Sequence, residues 1–137
     1  MAEFIMKDIV RKNHRESDFL IESAATSTEE TGNPVYPPAR RQLMLHGISC
    51  DGKTARQFRA REYDNYDMII VMDYNNMKNL KRIVPNDPEN KFSMLLDYTP
   101  GGGTVSDPWY TRDFEKAYSD IYRGCMGLFS YLTRDNK

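Results

Sequence analysis

The run MIIVM, Met68 to Met72, contains no polar side chain. Alternating side chains of one strand point to opposite faces, so an apolar run this short needs cover on both sides of its sheet. That condition is met in parallel sheets flanked by helices, and the rest of the chain is consistent with it. The chain opens with Ala2, Ile5, Met6, Ile9 and Val10 at helical spacing, one apolar stripe. Residues 18–22 (DFLIE) and 92–96 (FSMLL) read as further short buried strands. A helix is expected at residues 39–46, with Pro38 near its first position and Gly47 as its stop. Another is expected at 73–83, ended by Pro85, and a last one at 112–132. Its apolar face carries Phe114, Ala117, Tyr118, Ile121, Cys125, Leu128 and Leu132. Residues 53–67 fit either a short extended piece or a helical turn. Strands alternating with helices predict a three-layer α/β/α sandwich around a small parallel sheet.

Composition narrows the function. A chain of 137 residues predicts one domain. The net charge is −1, with Lys and Arg spread along the chain, so neither a nucleic-acid stripe nor a polybasic membrane anchor is present. No apolar run approaches the roughly 20 residues that span a bilayer. Acids and bases interleave in MAEFIMKDIVRKN, unlike a signal peptide. Two cysteines, Cys50 and Cys125, make no disulfide framework and predict reduced thiols in a cytoplasmic protein. Cys125 falls on the apolar face of the last helix, an inert core thiol. His14 and His46 have no ligand pattern around them, and neither a metal nor another cofactor is implied. Met6, Met44, Met77 and Met126 are expected to fill the core.

Ligands in open α/β sheets bind beyond the carboxyl ends of the strands, which directs attention to the loops after Glu22, Met72 and Leu96. Those loops carry recognisable residues. Ser23-Ala24-Ala25 precedes Gly32 and nearby prolines; Tyr66-Asp67 precedes MIIVMD and Asn75-Asn76; Asp107-Pro108-Trp109-Tyr110 precedes Asp113-Phe114 and Tyr118. In order and spacing these stretches resemble the low-molecular-weight protein tyrosine phosphatases, over nearly the whole chain, with Met1-Ala2-Glu3 similar to the start of that family's first helix. The aspartate-proline-aromatic-aromatic element is the most specific part. The resemblance implies a flavodoxin-like fold and hydrolysis of phosphotyrosine or aryl phosphate monoesters through a cysteinyl-phosphate.

Residue by residue, the resemblance makes Asp107 the general acid, which protonates the leaving phenolate and later activates water. Trp109 and Tyr110 match the aromatic pair lining the phenyl-ring cleft. Glu29 stands at a wall position often aromatic in the family, which shifts the expected substrate preference away from acidic phosphopeptides. Ser23 resembles the serine that supports the phosphate loop. Asp73 and Asn75-Asn76 read as a helix N-cap. The family's C-x5-R-S loop and the strand before it would precede Met1, so this chain is expected to lack both, to leave a slot in its sheet, and to be inactive as written.

The chain does contain Cys50-Asp51-Gly52-Lys53-Thr54-Ala55-Arg56, a C-x5-R match. A helix ending just before the cysteine and Gln57-Phe58 after the arginine are the wrong context for an anion-binding loop, so a bland loop cysteine is expected, in a segment leading to an edge of the fold away from the site. Partners are expected to be phosphotyrosine proteins or small aryl phosphates, with no nucleic acid and no membrane. Three other readings stay open: a non-catalytic fragment forming a homodimer by strand exchange, an arsenate reductase-like protein (short of the closely placed cysteines that chemistry uses), and a true nucleophile at Cys50.

Overall fold

The computed structural model describes residues 1–26, 32–105 and 113–134. Its elements are α1 (Ala2–Lys12), α2 (Pro37–Leu45), β1 (Ile69–Val71), α3 (Tyr74–Ile83), β2 (Phe92–Met94) and α4 (Phe114–Thr133), with 3-10 turns at Glu16–Asp18, Ala60–Asn65 and Leu95–Tyr98. β1 and β2 pair in parallel, Ile69 opposite Phe92, Ile70 opposite Ser93 and Val71 opposite Met94. No helix among the described residues is long and apolar enough to cross a membrane.

The sheet is covered on both faces, as the MIIVM run requires. Ile69, Val71, Phe92 and Met94 pack with Phe58, Leu80, Met77 and Ile83 on the α3 side. Met68, Ile70 and Met72 face the larger cluster, where Ile5, Met6, Ile9 and Val10 of α1 meet Tyr118, Ile121, Cys125 and Leu128 of α4. Leu95 and Leu96 join that cluster from the turn after β2. Helix, sheet and helix therefore form the three layers predicted from alternation. Two glycines allow α4 to sit close: a Cβ on Gly127 would lie 2.1 Å from the Tyr98 carbonyl oxygen, and one on Gly124 would lie 2.5 Å from Leu95.

Several elements depart from their expected form. Residues 18–22 do not register as a strand. Asp18 closes a 3-10 turn, and Phe19 to Glu22 follow as extended backbone, with Phe19 at φ −131 and ψ 134. Phe19 and Ile21 pack on the core while Leu20 is 75% exposed, the alternation of a strand. A strand also needs a ladder, and among the described residues this segment first bridges at Ala25, opposite Gln57. The strand expected at 92–96 stops at Met94. The Asp97 carboxylate accepts the Met94 N–H at 3.0 Å, and the Thr99 hydroxyl donates to the Leu96 carbonyl at 2.6 Å, which converts LLDY into a 3-10 turn. Residues 53–67 hold both forms left open, a bridge at Thr54 and a 3-10 turn from Ala60. Met44 and Met126 do not fill the core; they are 59% and 41% exposed, whereas Met6 is buried. Each helix has its apolar stripe filled by neighbouring residues, and these two methionines fall just outside it.

Candidate functional site

The carboxyl exit of β1 is built by local capping. Asp73 caps α3, accepting the Asn76 N–H at 2.7 Å, while the Asn76 side chain accepts the Met72 N–H at 3.3 Å. This reciprocal pair ends the strand and starts the helix within two residues, as the N-cap reading anticipated. The Met72 carbonyl is then taken by the Val105 N–H at 3.0 Å. Gly101, Gly102 and Gly103, at φ +88, +59 and +106, supply the left-handed turns that return the chain to that point. The loop after β2 is thus brought back to the end of β1. At its far side Asp113 caps α4, accepting the Lys116 N–H at 2.8 Å. The stretch between these two anchors contains Asp107, Trp109 and Tyr110, which lie outside the described residues, as does Glu29.

A second cluster centres on Glu3, in the first turn of α1 and only 7% exposed. Its carboxylate takes Lys53 Nζ at 2.8 Å, Lys7 Nζ at 2.7 Å and the Ser23 hydroxyl at 2.6 Å. Lys53 also donates to the Ser23 carbonyl at 3.1 Å. Burial alone would push the Glu3 carboxyl up, but the hydrogen bonds from Lys53, Lys7 and Ser23 outweigh it and bring the pKa down to about 2. A negative charge in the first turn also suits the helix dipole. Ser23 stands at the end of the extended segment 19–22, so α1 begins where that segment exits. A helix N-terminus beside a strand exit is the place where an α/β fold presents backbone N–H groups to an anion.

Sequence reasoning selected Ser23 and the structure places it in this cluster. It missed Lys53, and it treated Glu3 only as a point of resemblance. It also placed residues 50–56 away from the site, whereas Lys53 reaches back into it. No pattern in the chain links residues 3 and 53; α1 carries two acids beside its apolar stripe, Glu3 and Asp8, and nothing in their spacing distinguishes the one that meets Lys53.

The remainder of the Cys50–Arg56 segment behaves as a bland loop. Cys50 is 4% exposed. The Asp51 N–H is donated to Ser49 Oγ at 3.3 Å, that of Lys53 to the Cys50 carbonyl at 3.3 Å and that of Ala55 to the Asn33 carbonyl at 2.8 Å. Arg56 pairs with Glu62 at 2.5 Å, and Asp51 with Arg40 at 2.9 Å. Amides so engaged do not converge on an anion. Cys125 is 1% exposed, and burial pushes its thiol up to about 12. His46 stacks on Tyr118 with ring centroids 3.9 Å apart. Among the described residues no group of His, Cys, Asp and Glu could hold a metal ion.

Comparison with known proteins agrees with this geometry. The family model described as low molecular weight phosphotyrosine protein phosphatase matches residues 1–137. The low molecular weight protein-tyrosine-phosphatase YfkJ of Bacillus subtilis is 32% identical, over 100% of this chain and 89% of the relative. The crystal structure of YfkJ superposes with a TM-score of 0.94 at 31% identity, covering 99% of this chain and 87% of that one. PtpA of Staphylococcus aureus, of the same description, is 32% identical over 98% of this chain and 86% of its own length. The low molecular weight protein tyrosine phosphatase of Streptococcus pyogenes gives a TM-score of 0.82 at 38% identity, covering 96% and 82% of the two chains. With the family model matching residues 1–137 and a relative 32% identical over the whole of this chain, the chain belongs to the low-molecular-weight protein tyrosine phosphatases.

Proposed function

We propose that this single-domain chain carries the general acid and substrate wall of a site that hydrolyses phosphotyrosine and small aryl phosphates, and that its 137 residues alone do not turn over. The reaction proceeds through a cysteinyl-phosphate. Asp107 protonates the departing phenolate oxygen and then takes a proton from the water that attacks the phosphoenzyme. To Trp109 and Tyr110 we assign recognition of the phenyl ring, to Glu29 the preference against acidic substrates, and to Ser23 support of the phosphate-binding end of α1. The carrying observation is the Val105–Met72 hydrogen bond, which anchors the chain at the β1 exit two residues before Asp107.

The proposal of inactivity rests on the two thiols. The nucleophile must be a thiolate, favoured by a helix N-terminus or neighbouring cations. Cys125 is held neutral by burial, and Cys50 is buried in a loop whose Asp51, Lys53 and Ala55 amides are engaged elsewhere. Neither has the chemistry, so turnover requires a cysteine outside these residues.

The test of Asp107 uses the chain extended upstream through its reading frame. An Asp107→Asn variant should lose about 100-fold in kcat on phenyl phosphate and phosphotyrosine, and less on p-nitrophenyl phosphate, whose leaving group needs less protonation. Equal losses on all three would remove Asp107 from the general-acid role. A second reading, exchange of a strand between two copies, is favoured by the extended segment 19–22, which makes no ladder with the described residues. A monomer whose sedimentation does not change with concentration would eliminate it.

A further inference from the structure

We infer that Lys53 is a positioning residue for the phosphatase reaction, tying the first turn of α1 to the exit of segment 19–22. The inference rests on the functional reading above, since it assigns Lys53 a role in that same site.

Three segments far apart in sequence meet at one ammonium group. Lys53 Nζ lies 2.8 Å from Glu3 of α1 and 3.1 Å from the Ser23 carbonyl, and its own backbone belongs to the turn opened by Gly52 at φ +84. The Ser23 hydroxyl closes the triangle by donating to the other partner, Glu3, at 2.6 Å. Glu3 has 6% of its side chain exposed and Lys53 24%, so the pair is shielded from competing water and its geometry is held more tightly than a surface pair. Lys7 also bonds Glu3, but from one turn further along the same helix and with 48% of its side chain exposed. It stabilises the helix locally and joins nothing to it. Of the two lysines on Glu3, Lys53 is the one that ties the helix to both the strand exit and the loop.

The helix N-terminus and the Ser23 exit are the elements on which an anion-binding edge depends. A cation that sets their separation acts on transition-state geometry without touching substrate. This gives the segment of the false C-x5-R match a function, through Lys53 and not through Cys50.

The experiment measures p-nitrophenyl phosphate hydrolysis by the upstream-extended chain and its Lys53→Met, Lys53→Arg and Lys12→Met variants, Lys12 being the lysine of the same helix that pairs with Asp8 and not with Glu3. Each is first confirmed folded by its near-ultraviolet circular dichroism. Lys53→Met should lower kcat about tenfold with KM changed by less than about twofold, Lys53→Arg should recover most of the loss, and Lys12→Met should match the parent. Full kcat in Lys53→Met, an equal fall in Lys12→Met, or no recovery with arginine would each overturn the assignment. Should Lys53→Met unfold, Lys53→Arg decides alone: kcat within about threefold of the parent supports the role, and parent-like stability with kcat and KM falling together contradicts it. Absence of turnover in the extended parent would instead overturn the functional reading, and is recognised because every variant is then equally silent.

Discussion

Glu3 is a buried carboxylate that the fold keeps charged, and it does so by surrounding it with two ammonium groups and a hydroxyl. Its folded pKa of about 2 lies below the ordinary value of 4.5, so its contribution is complete above pH 4.5 and fades as pH falls toward 2. Glu3→Gln should therefore destabilise the chain by about 2 kcal/mol at neutral pH and flatten its loss of stability on acidification. Urea titrations at a series of pH values would check both; parallel acid curves for parent and variant would exclude Glu3 as the titrating group. The two thiols give a second residue-scale outcome. In the native chain neither Cys50 nor Cys125, 4% and 1% exposed, should react with a thiol reagent over minutes, and both should react at once in denaturant. At this scale legibility follows distance along the chain. Asp73 and Asn76 cap within three residues, so composition and spacing revealed them. The Glu3–Lys53 pair joins residues more than a third of the chain apart and depends on three-dimensional placement, which no periodicity encodes.

Elements were legible where their burial pattern was their own. The α1 stripe, the β1 run, and α4 with its buried Ala117, Tyr118, Ile121, Cys125 and Leu128 lie within a residue or two of expectation. The failures occur where another segment decides. Residues 19–22 have the alternation of a strand but no ladder among the described residues, and FSMLL is divided by the side chain of Asp97 beyond its end. The fit of α4 against the turn after β2 was also invisible in sequence, since Gly124 and Gly127 look like helix-weakening residues until the approach of Tyr98 is seen. Gly127→Ala should cost about 2 kcal/mol despite alanine's better helix propensity, because the obstructing atom is backbone and cannot rotate away. Thermal denaturation would measure it; a stabilised variant would show that α4 can move off the turn.

At the scale of the molecule, two pieces of local chemistry stand at the exit of β1 and a third where the segment 19–22 meets α1. These are the Asp73–Asn76 cap, the glycine loop returning to Met72, and the Glu3–Ser23–Lys53 cluster. The family and these exits were legible from short motifs, because loops at strand exits carry function in this architecture. Cys50-x5-Arg56 shows the limit of the same approach: the pattern is present, yet its cysteine is buried and its arginine is engaged with Glu62. We propose that the described residues support the site, that Asp107 supplies the acid, and that the nucleophile lies outside these residues. This proposal is tested most directly by assaying p-nitrophenyl phosphate hydrolysis at mildly acid pH, with this chain beside the same chain extended upstream. Turnover by the extended chain alone is the predicted result. Turnover by the 137 residues themselves, abolished by Cys50→Ser, would contradict it.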